Sequence, residues 1–416
     1  NVKIINGLNN LETLIIKRGN NLGNLLDNCL NLKVVELYNI NNQTYFGFTA
    51  KLTKLERFIF KNKEENLGLV DTLSFGDSIK YVDININAKK CVFEGCAKLR
   101  ELYIDEYNSE GVLILNGCSG LEELHLNISD ITNLDFLSEC PNLNTLMIKG
   151  DFVGDFSPLA ECPKLRVFQI NSGELIDLST LPPLPNLKTA KFKAEVIKSI
   201  YTLSGLNGLI SLHIDIQDGT DNLNFIGNML QLERLILSDS RTFKNIKPLF
   251  SLVNLKYLVI SGMIIKNIKR ASNWANIEVL HLSNIVSLTS VKYLSGCHKL
   301  RSLILNRCDV VNLDGLKKCK NLTTLHCTKC NPLKDIIGIT GSNITTFSLI
   351  ESSVKDVSPL LTLNHLSNLT LQSNNSIKNG KDILNRMKDM DTLLTDFNSL
   401  KNLNHYLSSP PDPSDD

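Results

Sequence analysis

Apolar residues come along this chain in a short beat, at the first, fourth and sixth positions of stretches such as LEELHL (121–126) and LERLIL (232–237). The beat recurs as LETLII, LKVVEL, LERFIF, IKYVDI, LRELYI, LNTLMI, LRVFQI, LKTAKF, LISLHI, LKYLVI, IEVLHL, LRSLIL, LTTLHC, ITTFSL and LSNLTL. Its lead residues run Leu11, Leu32, Leu55, Ile79, Leu99, Leu121, Leu143, Leu165, Leu187, Leu209, Leu232, Leu255, Ile277, Leu300, Leu322, Ile344 and Leu366, seventeen units at intervals of 20 to 24, mostly 22. Alternation of the L-x-L kind predicts a short strand with one buried face. A single coil cannot bury that face alone, so coils must stack and align their strands as a parallel sheet. At about 4.8 Å between strands, seventeen units predict a sheet of roughly 80 Å along the stack. Pro158, Pro248, Pro332 and Pro359 follow strands and suit the first position of a helical turn, which predicts short 3-10 or single-turn helices on the opposite side.

After Thr370 the period changes. In KDILNRMKDMDTLLTDFNSLKNLNHYL (381–407), apolar residues at 383, 384, 387, 390, 394, 397, 400, 403 and 407 have helical spacing. A repeat stack needs a cover for its last open coil, so an amphipathic capping helix is expected there, with a degenerate eighteenth coil or a partner-binding helix as rivals. Residues 1–10 are short for an N-terminal cap, which predicts more chain or a partner on that side. The division expected is a solenoid over 1–376, a capping helix over 377–408 and a disordered acidic tail over 409–416.

The stretch HCTKC (326–330) has ligand types that zinc and redox centres use. Counted from Leu322, however, Cys327 falls in the buried sixth slot and Cys330 in the ninth, one coil after Cys308. Cys29, Cys96, Cys118, Cys140, Cys162, Cys297 and Cys319 all lie three residues before a lead residue, where a small buried hydrophobe fits. Only Cys91 fits neither column. A structural role explains nearly every cysteine, with a metal or redox pair among Cys308, Cys327 and Cys330 as the lesser alternative. The ninth slot also holds Asn87 and Asn374, but Ser129, Ser240, Ser352, Gly173, Glu195, Gln217 or Met263 elsewhere. An asparagine ladder there would be patchy, and an irregular stack is expected before Leu99.

The repeat resembles the leucine-rich repeat family over positions 11–374, in the short 22-residue form of bacterial internalins. DFSPLAECPKL (155–165) and DVSPLLTLNHL (356–366) are similar to the internalin D-I-x-P-L turn, and CVFEGCAKLRELYI (91–104) looks more like the BspA-type subclass. The resemblance implies an α/β leucine-rich repeat solenoid: a curved horseshoe with a concave parallel β-sheet and short helical turns on the convex side. It also implies a scaffold, adaptor or recognition role.

Composition narrows the role. The 416 residues carry a net charge of +1 with 21% charged and 6% aromatic residues, so no overall field steers the chain to nucleic acid or an anionic membrane. No apolar run reaches the roughly 18–20 residues of a membrane-spanning helix. NVKIINGLNN lacks the basic n-region and apolar h-region of a signal peptide, so none is expected in this stretch. An odd count of eleven cysteines argues for a reducing, cytoplasmic setting. No phosphate-binding glycine loop, G-x-S-x-G elbow or H-E-x-x-H pair occurs. The expectation is a protein that is not an enzyme and needs no cofactor.

Function should then lie in the slots that point outward from the sheet. The fifth slot holds four of the seven histidines, His125, His213, His281 and His326. His281 and His326 are two coils, about 10 Å, apart, too far for one metal. Ile236, Val259 and Ile304 share this slot, flanked by Tyr257 and Val279 in the third. An outward apolar and aromatic strip marks an interface. The protein-binding residues expected are Ile236, Tyr257, Val259, Val279, His281, Ile304 and His326, holding a protein ligand on the concave sheet. A second, charged strip sets Lys188, Lys191 and Lys193 against Arg100, Glu101, Asp105, Glu122 and Glu123, a pattern that solubility also explains. Other readings are a structural component of a large assembly, or the substrate-recognition arm of an enzyme complex.

Overall fold

A computed structural model describes residues 9–43, 45–62, 70–86, 88–105, 112–131, 133–152, 154–218, 222–238, 243, 245–265, 268–374, 377, 383 and 390–395. The chain forms two compact units, Asn1–Leu209 and Ile210–Asp416.

In the first unit each repeat places one strand in a parallel sheet: Thr13–Ile16, Val34–Tyr38, Arg57–Lys61, Tyr81–Asn85, Glu101–Asp105, Glu123–Ile131, Thr145–Phe152, Val167–Asn171 and Thr189–Lys198. Register holds slot to slot, so that Ile15, Glu36, Ile59, Asp83, Tyr103, His125, Met147, Gln169 and Lys191 form one row across it. The fourth- and sixth-slot side chains point the other way and are buried, as Leu102 with Ile104 and Leu124 with Leu126 show. Leu175–Asp177 pairs with the second half of Thr189–Lys198.

The second unit repeats the plan with Ser211–Asp218, Arg234–Ser238, Tyr257–Ser261, Val279–Ser283, Ser302–Asn306, Thr324–Thr328, Thr346–Ile350 and Asn368–Gln372. All pair in parallel with their neighbours.

Opposite the sheets run the expected short helical turns, 3-10 in form, such as Asp135–Glu139, Ser157–Glu161, Lys247–Ser251 and Ser358–Thr362. Pro158, Pro248 and Pro359 open three of them. Pro332 does not: it lies in a turn ahead of Ile337–Ile339, because Leu333 and Ile336 must first be buried. Before Leu121 the returning chain departs further from expectation. Leu73–Ser74, Lys90–Val92 and Val112–Ile114 make a second small parallel sheet, and Cys91, the cysteine outside both columns, is buried within it.

The C-terminal expectation needs correction at one place. Thr392–Thr395 is a strand paired with Asn368–Gln372, with Leu369 opposite Leu393. The open edge of the last regular strand offers unpaired backbone groups, and this segment satisfies them as a further coil. Ile383 is helical and buried. The other residues of 377–408, apart from Ile377, Met390 and Asp391, and all of the acidic tail lie outside the described residues, as do Asn87, Ser240 and residues 1–8.

Backbone donors on each strand's first turn are satisfied by the coil before it. Arg166 and Val167 both donate to the Asn144 carbonyl, and Arg301 and Ser302 to that of Glu278. Asparagine carries a second ladder, one residue before the lead position. Nδ2 of Asn142, Asn186, Asn254, Asn276, Asn321 and Asn343 donates to a carbonyl one coil back at 2.7–2.9 Å. In the early coils Asn62 and Asn85 take the inner role instead, exchanging side-chain and backbone bonds at 2.5 and 2.7 Å. Asn374 is fully buried, donates to the Leu349 carbonyl at 2.6 Å and accepts from the Ser352 amide at 3.0 Å.

All eleven cysteines are free and buried. The column thiols lean on carbonyls of the preceding coil, Cys118 on Phe93 at 3.1 Å and Cys319 on Leu294 at 3.2 Å. Burial pushes the thiols of Cys140, Cys162, Cys297 and Cys308 up to about 12, and raises Cys327 and Cys330 too. A neutral thiol is a poor nucleophile, so Cys327 and Cys330 of HCTKC serve the core while His326 faces outward.

Two outcomes follow. Asn374→Ala strands a buried amide and carbonyl and should cost about 2 kcal/mol, against about 1 kcal/mol for the exposed Asn321→Ala, read as shifts in urea-unfolding midpoint. In the native chain a thiol-reactive dye should label no cysteine rapidly, and in denaturant all eleven.

Candidate functional site

The outward face of each sheet is built by slots three, five and seven, since alternate residues of a strand face opposite ways. In the second unit the fifth slot reads His213, Ile236, Val259, His281, Ile304, His326, Ser348 and Thr370, each directly opposite the next. Arg234, Tyr257 and Val279 form the parallel row in slot three. All seven residues expected to bind protein thus lie on four neighbouring rungs and the one after, on a single face. Each is half-buried, because neighbours in the row pack flank to flank.

Arg234 was not legible as part of this group. Its guanidinium sits 3.7 Å from the centre of the Tyr257 ring, a cation–π contact set by the one-rung register between them. Histidine adds a polar element. Nε2 of His281 is buried and has no hydrogen-bond partner. Burial holds the imidazoles of both His281 and His326 below their usual pKa, favouring the neutral ring. A buried polar atom without a partner costs free energy until something supplies one. Among the described residues no group of His, Cys, Asp and Glu could hold a metal ion.

The first unit's face is chemically different. Arg57 pairs with Glu36 at 3.1 Å and lies 3.9 Å over the Tyr81 ring. Tyr81 packs on Tyr103 at 5.7 Å, and Tyr103 on His125 at 4.5 Å. Lys61 bridges Asp83 at 2.6 Å and Asp105 at 2.8 Å. Burial and the nearby Glu123 and Glu101 raise the Tyr103 hydroxyl well above its usual pKa. The charged strip read from the sequence resolves mostly into cross-rung bonds: Arg100 meets Glu122 at 3.4 Å, and Lys188 donates to the Gly208 carbonyl at 3.3 Å. Pairs such as Lys61 with Asp105 join residues 44 apart, which no local spacing reveals.

Known proteins agree with this geometry. A family model described as Leucine Rich repeats (2 copies) matches residues 298–341. No curated protein matches the chain. Among solved structures, the leucine-rich repeat protein LIC12759 of Leptospira interrogans is similar, with a TM-score of 0.63 at 14% identity over 95% of this chain and 98% of that one. The functional domain of InlJ from Listeria monocytogenes, which includes a cysteine ladder, gives 0.54 at 21% identity, over 78% and 70%. The mouse RP105/MD-1 complex gives 0.51 at 12%, over 93% and 77%. No helix of the described residues is long and apolar enough to cross a membrane. The chain thus has the leucine-rich repeat fold, and its residues 298–341 match the leucine-rich repeat family model.

Proposed function

We propose that the outward sheet face of the second unit binds a protein ligand along the row Ile236, Val259, His281, Ile304 and His326, with Tyr257 and Val279 beside it. Leucine-rich repeat proteins commonly act in protein–protein interaction and are generally not enzymes. The observation that carries the reading is the row itself: three β-branched residues and two neutral imidazoles, in register on a face turned away from the core. An apolar strip edged by Arg234 and Tyr257 has the composition of an interface centre. The unpartnered His281 Nε2 would gain a hydrogen bond there. Such a row is the concave face of its own unit's sheet in our reading, and the eleven buried free thiols support a reducing, cytoplasmic setting.

A second reading has one observation of its own. Away from the sheet face, Val286, Ile337, Val253 and Leu230 of the same unit are exposed, at 66%, 63%, 51% and 50%. A structural part of a large assembly, covered on both sides, would bury them.

Cross-linking pull-down from native lysate separates the two. Tyr257→Ala with Ile236→Ser should lose a specific partner at least about tenfold, since central aromatic anchors commonly carry 2 kcal/mol or more. Undiminished recovery would transfer the interface to the other side. Acidity gives a further outcome. His281 and His326 have folded-state pKa values below the 6.5 of a free imidazole, so the unfolded chain takes up protons first. Their stabilising effect is complete above about pH 6.5 and is lost as pH falls below it toward the depressed values. Thermal scans between pH 7 and 5 should therefore show a steeper loss for the native chain than for His281→Gln with His326→Gln.

A further inference from the structure

A cleft of about 350 Å³ opens on the outward face of the first unit, a stretch of sheet separate from the row just proposed. One wall carries Met147, Gln169 and Lys191 on successive rungs; the other carries Asp105, Asn127, Lys149 and Asn171. Asp105 is the lining carboxylate, and it is already held by Lys61 at 2.8 Å. Among the described residues Lys149 and Lys191 have no acidic partner, and the side-chain amides of Asn127, Gln169 and Asn171 make no hydrogen bond. Two uncompensated ammonium groups and three idle amides line one hollow beside the apolar side chain of Met147.

From this arrangement we propose that the cleft binds an acidic peptide, with carboxylate side chains seated between Lys149 and Lys191. Charge complementarity names the sign of the ligand. Spacing names its form. The strands bearing the two lysines lie two rungs, about 10 Å, apart, more than one small anion spans; successive same-face carboxylates of an extended peptide are about 7 Å apart, and lysine side chains close the remainder. The donor set argues against phosphate. Lysine can meet phosphate as a point charge, but the backbone amides or arginine fork that enclose a bound phosphate are not offered here, since the strand amides are spent in the sheet and both cations are lysines. The methylenes of a glutamate would lie against Met147, and the amides would donate to its oxygens.

The test uses the full chain and a fluorescein-labelled hexaglutamate peptide, followed by anisotropy at fixed ionic strength. Lys149→Gln with Lys191→Gln should weaken binding at least about tenfold, the loss expected for two charge-assisted hydrogen bonds. Gln169→Glu, which sets a tethered carboxylate opposite Lys191, should weaken it comparably while leaving the melting temperature unchanged or higher. Lys317→Gln with Lys318→Gln, which removes the same charge from an exposed turn, should stay within about twofold. The inference is overturned if the native chain binds no hexaglutamate, if the Lys317 and Lys318 pair weakens it equally, or if Gln169→Glu leaves binding intact. Displacement by inorganic phosphate, where chloride of equal ionic strength has no effect, would also overturn it and assign the cleft to phosphate.

Discussion

Everything in this molecule depends on the fact that no coil can satisfy itself. A strand of five residues leaves one apolar face and a row of backbone donors open, and both are costly in water or buried alone. The neighbouring coil resolves both at once. Its strand supplies the hydrogen bonds, and its fourth- and sixth-slot side chains cover the apolar face. Stacking also fixes register, since a slip of one residue would turn every leucine outward. Stability in such a stack is a sum over neighbours, which is why a four-residue strand, Thr392–Thr395, completes the last regular rung.

The same requirement explains the composition. Each coil has to turn back on itself, and the turns leave carbonyls facing the next coil. Asparagine before the lead position answers one of these, cysteine three residues before it fills a small buried space at another, and buried Asn374, Asn62 and Asn85 answer the inner turn. These groups are short, and they meet their partners at distances that a longer side chain would overshoot. The thiols are therefore core atoms, burial raises those of Cys140, Cys162, Cys297, Cys308, Cys327 and Cys330, and the cysteines of HCTKC are a consequence of coil geometry.

Freed from the core, the outward slots carry chemistry that differs between the two units. One unit presents cross-rung ion pairs, two tyrosines packed at a tilt and a lysine-walled cleft; the other presents a β-branched and imidazole row. A parallel sheet imposes this opportunity. Side chains 22 residues apart become neighbours at one strand spacing, so recognition surfaces are written in columns of the sequence.

The sequence by itself determined the period, the buried slots, the parallel sheet and the row of Ile236, Val259, His281, Ile304 and His326, because each follows from strict repetition. It also placed most cysteines in the core. What only the tertiary structure decided is which columns bond to one another. A ninth-slot asparagine ladder was expected to be patchy; the ladder that does form runs before the lead residue, since the geometry of the turn selects the carbonyl within reach. The returns before Leu121 became strands, and Thr392–Thr395 became a rung, because open strand edges outweigh local helical spacing. Lys61 with Asp105, Arg234 with Tyr257, and the hollow between Lys149 and Lys191 arise from side chains bending toward neighbours across rungs, a choice of rotamer and charge that no single repeat encodes.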